Sequence, residues 1–166
     1  IIFELMSIRT RSPDVDEYRL CAGIMLFNKR GLVWIGKRTD THNSWQMPQG
    51  GIDKGESPTL AAYRELYEET GCNNVELMDQ TDDWLLYDFP HTLAKKSWGG
   101  GFRGQAQKWF AFYFKGYDQE FDLFKSEKPE FNEWKWTKLN KLEKLIVKIY
   151  SIMSLGDTFP IFYRFY

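Results

Sequence analysis

Short apolar runs alternate with polar, glycine-bearing turns along most of the chain, a pattern of strands more than of long helices. Residues 20–27 read as a buried strand, 28–31 as a turn and 32–37 as its hairpin partner. A polar loop over 38–44 leads into a short extended piece, WQMPQGG, at 45–51. Further strands are predicted at 75–78, 84–89, 105–114 and 133–137. Two stretches carry a helical period. The first starts at Ser57 as N-cap with Pro58 at the first helical position, and stops at Gly71. Its apolar stripe is expected to be Leu60, Tyr63, Leu66 and Tyr67, away from the acidic residues. The second helix is expected over 139–155. Strands interleaved with two helices predict an α/β fold, a sandwich with one helix on each face of a mixed sheet. The loop 90–104 is long, and rich in glycine and basic residues. Loops of that length in compact domains usually carry function.

Composition narrows the picture. At 166 residues one domain is expected. Lys plus Arg number 22 and Asp plus Glu 23, so no global basic field drives non-specific nucleic-acid binding. Any nucleic acid must be gripped locally, at one end. Cys21 and Cys72 lie in apolar runs and read as reduced core residues of a cytoplasmic protein. His42 and His91 read as surface residues. IIFELM lacks the basic region and cleavage site of a secretory signal, and Met6 is a candidate start. The apolar tail is broken by Gly156, Asp157 and Pro160, short of a membrane span. Residues 1–17 are read as an arm, 18–155 as the domain and 156–166 as a divergent tail.

The chemistry concentrates between Gly50 and Cys72, GGIDKGESPTLAAYRELYEETGC. Residues three and four apart share a helix face, so Glu65 stands beside both Glu68 and Glu69. Two carboxylates ~6 Å apart repel by roughly 2–3 kcal/mol at an effective dielectric near ~20. A divalent cation is the natural counter-charge, and oxygen-only ligands favour Mg²⁺ or Mn²⁺. A cluster of this kind suits attack of water on a phosphoric anhydride. The Gly50-Gly51 turn lets backbone approach a metal or phosphate closely.

Read as G-x5-E-x7-R-E-U-x-E-E-x-G-U, with U bulky and apolar, this stretch resembles the Nudix box. It matches at Gly50, Glu56, Arg64, Glu65, Glu68, Glu69 and Gly71, and Cys72 is a mild departure at the last apolar slot. Beyond the box, WQMPQGGI, WLLYDFP, FRGQAQKWF and PEFNEWKW resemble bacterial RNA 5′-pyrophosphohydrolases and the related dinucleoside polyphosphate hydrolases. The likeness covers roughly residues 18–147. It implies the α/β/α sandwich of Nudix proteins and a hydrolase of phosphoric anhydrides using Mg²⁺ or Mn²⁺, with more than one ion. RNA 5′ ends are the expected substrate, with dinucleoside polyphosphates as the alternative.

The resemblance also implies roles. Gly50, by its carbonyl, and Glu65, Glu68 and Glu69 are metal ligands, with Glu65 the alternative base. Arg64 orients the glutamates. Glu130 completes the metal and base set, with Glu127 and Glu133 as rivals. Arg19 and Ser44 lie near the substrate phosphates. Gln105, Gln107 and Lys108 belong to the strand facing the phosphate chain. Alternation puts Gln105 and Gln107 on one face, and Lys108 on the other unless the strand bulges. Tyr87 is a stacking or phosphate contact, and Arg38 stacks on a base. Relatives carry a P-F-K-R-type run at the start of the last helix. This chain has LIVKIYSIMS over 145–154 instead, which puts the base platform in doubt.

Overall fold

The structure is a computed structural model that describes residues 9–10, 17–88 and 101–145. The expectations for the rest of the arm, for His91 and residues 90–100 of the long loop, for 146–155 of the last helix and for the tail fall outside the described residues.

The strands are β1 (Arg9–Thr10), β2 (Tyr18–Phe27), β3 (Val33–Arg38), β4 (Trp45–Gln46), β5 (Gln49–Gly51), β6 (Val75–Gln80), β7 (Leu85–Asp88), β8 (Gly104–Phe114) and β9 (Phe131–Thr137). The helices are α1 (Pro58–Thr70) and α2 (Leu139–Leu145). The centre of the sheet is a parallel pair, β2 with β8, in unbroken register from Tyr18↔Gly104 to Phe27↔Tyr113. Every other pairing among the described residues is antiparallel, so the sheet is mixed. β1 lies within the expected arm and pairs with β7.

The predicted hairpin of residues 20–27 with 32–37 is corrected. Its turn forms: the Asn28 side chain accepts from the N–H groups of Arg30 and Leu32, and Gly31 takes a positive φ of 68°. Yet β3 shares only the pair Phe27↔Val33 with β2, then leaves it to pair with β9. The flank of β2 is taken by β5, from Cys21↔Gly51 to Gly23↔Gln49. The segment WQMPQGG therefore hops a split in the sheet, with β4 on β3 and β5 on β2. Pro48 sits at the hop, where no ladder N–H is needed, and its carbonyl accepts from Ile24 N–H at 2.8 Å.

Alternate residues of β2 and β8 face opposite layers. One layer packs Ala22, Ile24, Leu26, Phe110 and Phe112 against Ala61, Ala62 and Leu66 of α1. The other sets Met25, Phe27, Trp109 and Ala111 against Leu142 of α2. A helix on each face of a mixed sheet is the sandwich expected. The predicted stripe of α1 is corrected: Leu66 is buried, but Leu60 is 63% exposed and Tyr63 and Tyr67 lie largely at the surface. Two alanines bring the helix close to the sheet, and the buried side is completed by Glu69 and Thr70. Both cysteines are free and buried, and His42 is exposed. Among the described residues no helix is long and apolar enough to cross a membrane.

Candidate active site

The helix α1 is fixed at both ends. Ser57 Oγ accepts from Leu60 N–H at 3.2 Å, Pro58 opens the first turn, and Gly71 in the left-handed region donates its N–H to the Tyr67 carbonyl at 2.8 Å. So held, α1 presents Glu65 and Glu69 to the short strand β5. The Glu65 carboxylate lies directly over Gly50: a Cβ there would stand 2.0 Å from its Cδ. From the opposite layer Arg19 approaches Gly51, where a Cβ would meet Nη2 at 2.6 Å. Two adjacent glycines therefore let an anion and a cation approach one strand from its two faces.

Arg64 ties the glutamates to the glycine turn. Its Nε and Nη2 grip Glu56 at 2.9 and 2.8 Å, Nη2 also donates to the Gly51 carbonyl at 2.8 Å, and Nη1 reaches Glu65 Oε1 at 2.7 Å. Glu68 joins through Nη1 at 3.2 Å as the i,i+4 partner, with its side chain half exposed. The fork geometry of a guanidinium suits such multiple carboxylate contacts. Arg64 holds the Glu56 carboxyl down at about 2, helped by the Asp53 N–H.

Glu69 is the most enclosed carboxylate, 6% exposed. Oε2 accepts from Gln49 N–H at 3.0 Å, while Oε1 is buried with no hydrogen-bond partner. Burial first, then the charges of Glu130 and Glu65, push its pKa well above the usual carboxylate range. Burial also raises Glu65, against the pull of Arg64 and with Glu68 and Glu130 adding to the rise. The Glu130 charge acts on both Glu69 and Glu65, and the Thr39 N–H anchors its main chain by donating to its carbonyl at 2.9 Å. Its rival Glu133 instead pairs with Lys37 at 3.3 Å, whereas Glu127 and Glu130 are both exposed. Among the described residues the acidic and His or Cys side chains do not form a closed cage of three around one point; Glu65 and Glu68 are drawn to Arg64. The donors still fit a hard cation. They are oxygens only, one is orphaned in the interior, and the like charges around it repel.

On the other face, β8 carries Gln105, Gln107 and Trp109, beside Arg19, Cys21 and Gly23 of β2. Gln107 is fully buried and Gln105 nearly so. Gln107 Nε2 donates to Gln49 Oε1 at 3.0 Å and to Gln105 Oε1 at 3.2 Å, and Trp109 Nε1 donates to Gln107 Oε1 at 3.1 Å. Gln49 thus joins both networks, by its main-chain N–H to Glu69 and by its side chain to Gln107. Arg19 Nη1 also contacts Cys21 Sγ at 3.4 Å, and burial pushes that thiol up to about 11.

The remaining positions are less gathered. The β8 register runs without a bulge past Lys108, which points to the opposite face, its Nζ 3.5 Å from the Asp82 carbonyl. Arg38 is clasped by Asp40, with Nε to Oδ1 at 2.6 Å, and Nη1 donates to Gln46 Oε1 at 2.8 Å. The edges of its guanidinium are thus engaged, whereas stacking on a base uses the plane. Ser44 precedes β4, and its carbonyl accepts from Arg38 N–H at 2.8 Å. Tyr87 pairs with Gln105 across β7 and β8, but its side chain lies outside the described residues. Sequence reasoning gave no site role to Gln49 and Trp109. Both stand in the motifs WQMPQGG and FRGQAQKWF, but only cross-strand register brings them together.

The NUDIX domain model matches residues 17–153. An RNA pyrophosphohydrolase of Rhodopseudomonas palustris is 49% identical over 140 residues, covering 78% of this chain and 83% of that protein. An RNA pyrophosphohydrolase of a Bradyrhizobium species is 50% identical over 149 residues, covering 83% and 88%. Among solved structures, the E. coli dihydroneopterin triphosphate pyrophosphohydrolase superposes with a TM-score of 0.67 at 18% identity, over 85% of this chain and 96% of that one. A C. elegans Ap4A hydrolase gives 0.62 at 19% identity, over 89% and 99%. At such identities the structures speak for the fold alone, while the motif, the domain match and the sequence relatives agree on the lineage. The chain belongs to the Nudix family of hydrolases, in its RNA pyrophosphohydrolase branch.

Proposed function

We propose that this chain is a pyrophosphohydrolase acting on the 5′-triphosphate end of RNA, releasing pyrophosphate and leaving a 5′-monophosphate. The observation that carries the chemistry is the buried, orphaned Oε1 of Glu69 amid Glu65 and Glu130. The similarity to RNA pyrophosphohydrolases supports the substrate.

Nudix hydrolases generally use divalent metal ions. Here Glu65, Glu68, Glu69, Glu130 and the Gly50 carbonyl would hold Mg²⁺ or Mn²⁺. Such ions, when bound, polarise the phosphoryl oxygens, acidify a water and neutralise the leaving group. Glu69 supplies a ligand from the interior, where burial favours pairing with a cation over remaining a lone anion. Arg64 holds Glu65 Oε1, so Oε2 is the atom that takes a proton from the attacking water, with Glu130 beside it. Arg19 and Gln105 orient the phosphate chain, and Gln107 holds Gln105 and Gln49 from behind. Ser44, Tyr87, Arg38 and Lys108 contribute at the periphery. The catalytic unit spans 18–155, flanked by an arm and a tail. The buried thiols of Cys21 and Cys72 suit a cytoplasmic enzyme.

Turnover of 5′-triphosphate RNA and of diadenosine tetraphosphate, measured side by side with Mg²⁺, tests the reading. A kcat/KM at least ~10-fold higher for the RNA, a difference of about 1.4 kcal/mol, is expected. The reverse preference would reassign the chain to dinucleoside polyphosphates.

A further inference from the structure

An indole nitrogen can only donate a hydrogen bond. Whichever end of the Gln107 amide faces Trp109 Nε1, 3.1 Å away, must therefore be the oxygen. That one constraint propagates. The Gln107 NH₂ end must point the other way, where it meets Gln49 at 3.0 Å and Gln105 at 3.2 Å. Both of its hydrogens are committed there. Each partner must then present its own oxygen inward, which turns the NH₂ ends of Gln49 and Gln105 away from Gln107. Three amides, each of which has two nearly isosteric orientations, are set by a single N–H.

Packing locks the source of this order. Trp109 is buried under Gly23, where a Cβ would stand 2.5 Å from the ring. The relay ends beside the acidic cluster, because the main-chain N–H of Gln49 binds Glu69 Oε2, and beside Arg19, which pairs with Gln105 across β2 and β8. A phosphate chain carries acceptors only, so an inverted glutamine would set oxygen against oxygen.

We propose that Trp109 is a positioning residue whose indole N–H sets the polarity of the Gln107 amide and, through it, of Gln49 and Gln105, so that the NH₂ ends of those two, not their carbonyls, are turned toward the oxygens of the substrate phosphate chain. This rests on the reading of the substrate as a phosphoric anhydride, shared by triphosphate RNA and dinucleoside polyphosphates.

The test is Trp109→Phe, which keeps an aromatic ring and deletes the donor. KM for 5′-triphosphate RNA should rise about 10-fold, with kcat within ~3-fold, since a charge-assisted contact is lost from binding. A folded W109F protein with KM within ~2-fold of wild type overturns the proposal. A purely space-filling role would lower Tm without this KM-against-kcat split. A second measurement needs no variant and no substrate. In ¹⁵N-labelled wild-type protein, the Gln107 side-chain NH₂ and the Trp109 indole N–H should both be protected from solvent exchange. Exchange at the rate of a free amide would overturn the relay. Because it is read in the protein alone, this arm decides the relay even if triphosphate RNA proves not to be the substrate.

Discussion

Replacing Gly50 by alanine separates chemistry from folding. The new Cβ would lie 2.0–2.2 Å from all three carboxyl atoms of Glu65. Ordinary contact begins near ~3.5 Å, so the carboxylate must retreat by more than about 1 Å. It is the far end of a flexible side chain, so it can do so by changing rotamer, at a cost of about 1 kcal/mol or less. The retreat also breaks or strains the 2.7 Å bond to Arg64 Nη1. Gly50 has no positive φ to protect, so the backbone itself accepts alanine. The expectation is a folded protein with Tm lowered by no more than ~4 °C and kcat reduced about 100-fold, the usual result of misplacing a reacting group by ~1 Å. Thermal unfolding and steady-state turnover of the same preparation check both halves. Wild-type turnover in Gly50→Ala would show that Glu65 need not sit over this strand. Loss of the folded state would show that the contact is structural.

Gly23→Ala should behave oppositely. Its Cβ would strike the Trp109 ring at 2.5–2.8 Å inside the closed core, costing about 3 kcal/mol or more, with a large drop in Tm or insoluble protein. Glu69→Gln should keep the fold, abolish turnover and largely remove the rise in Tm that Mg²⁺ or Mn²⁺ gives the wild type; an unchanged cation-dependent shift would place the ion elsewhere. Glu56 has a folded pKa depressed to about 2 from 4.5 by Arg64. Its contribution to stability is therefore full above about 4.5 and lost as pH falls toward 2. Glu56→Gln should lower stability by about 1–2 kcal/mol at pH 7 and flatten that acid limb in urea titrations; an unaltered limb would mean the ion pair contributes nothing.

The chain announces its local structure well. Ser57, Pro58 and Gly71 marked the ends of α1 because caps depend only on neighbours in sequence. The strand at 105–114 and the one beginning at 20 were legible from their apolar runs, and the glutamates from their spacing. Partnership was less legible. Nothing local says that β3 leaves β2 for β9, since what displaces it is β5, supplied from beyond the turn. The buried side of α1 was misread for a related reason. Hydrophobicity favoured Leu60, Tyr63 and Tyr67, whereas closeness to the sheet selects Ala61 and Ala62, and the site draws Glu69 inward. Glu130, 61 positions from Glu69, was reachable only by family resemblance. Its main chain is anchored by the hydrogen bond from Thr39 to its carbonyl, a contact 91 positions apart that no local pattern announces. The glutamine relay was half visible as an i,i+2 pair, with the indole that orders it two residues further along.

The parallel pairing of β2 with β8 joins residues that are 86 apart in sequence, as at Tyr18↔Gly104. Closing so wide a loop costs entropy before any contact repays it, and parallel pairing slows folding further. Everything between those strands, including the acid-bearing helix, must wait for the later one to emerge from the ribosome. A nascent chain that stops short of residue 104 therefore has its carboxylates but no platform opposite them. Such a fragment should be inert toward phosphate substrates and vulnerable to proteases, and latent activity should switch on abruptly with chain length.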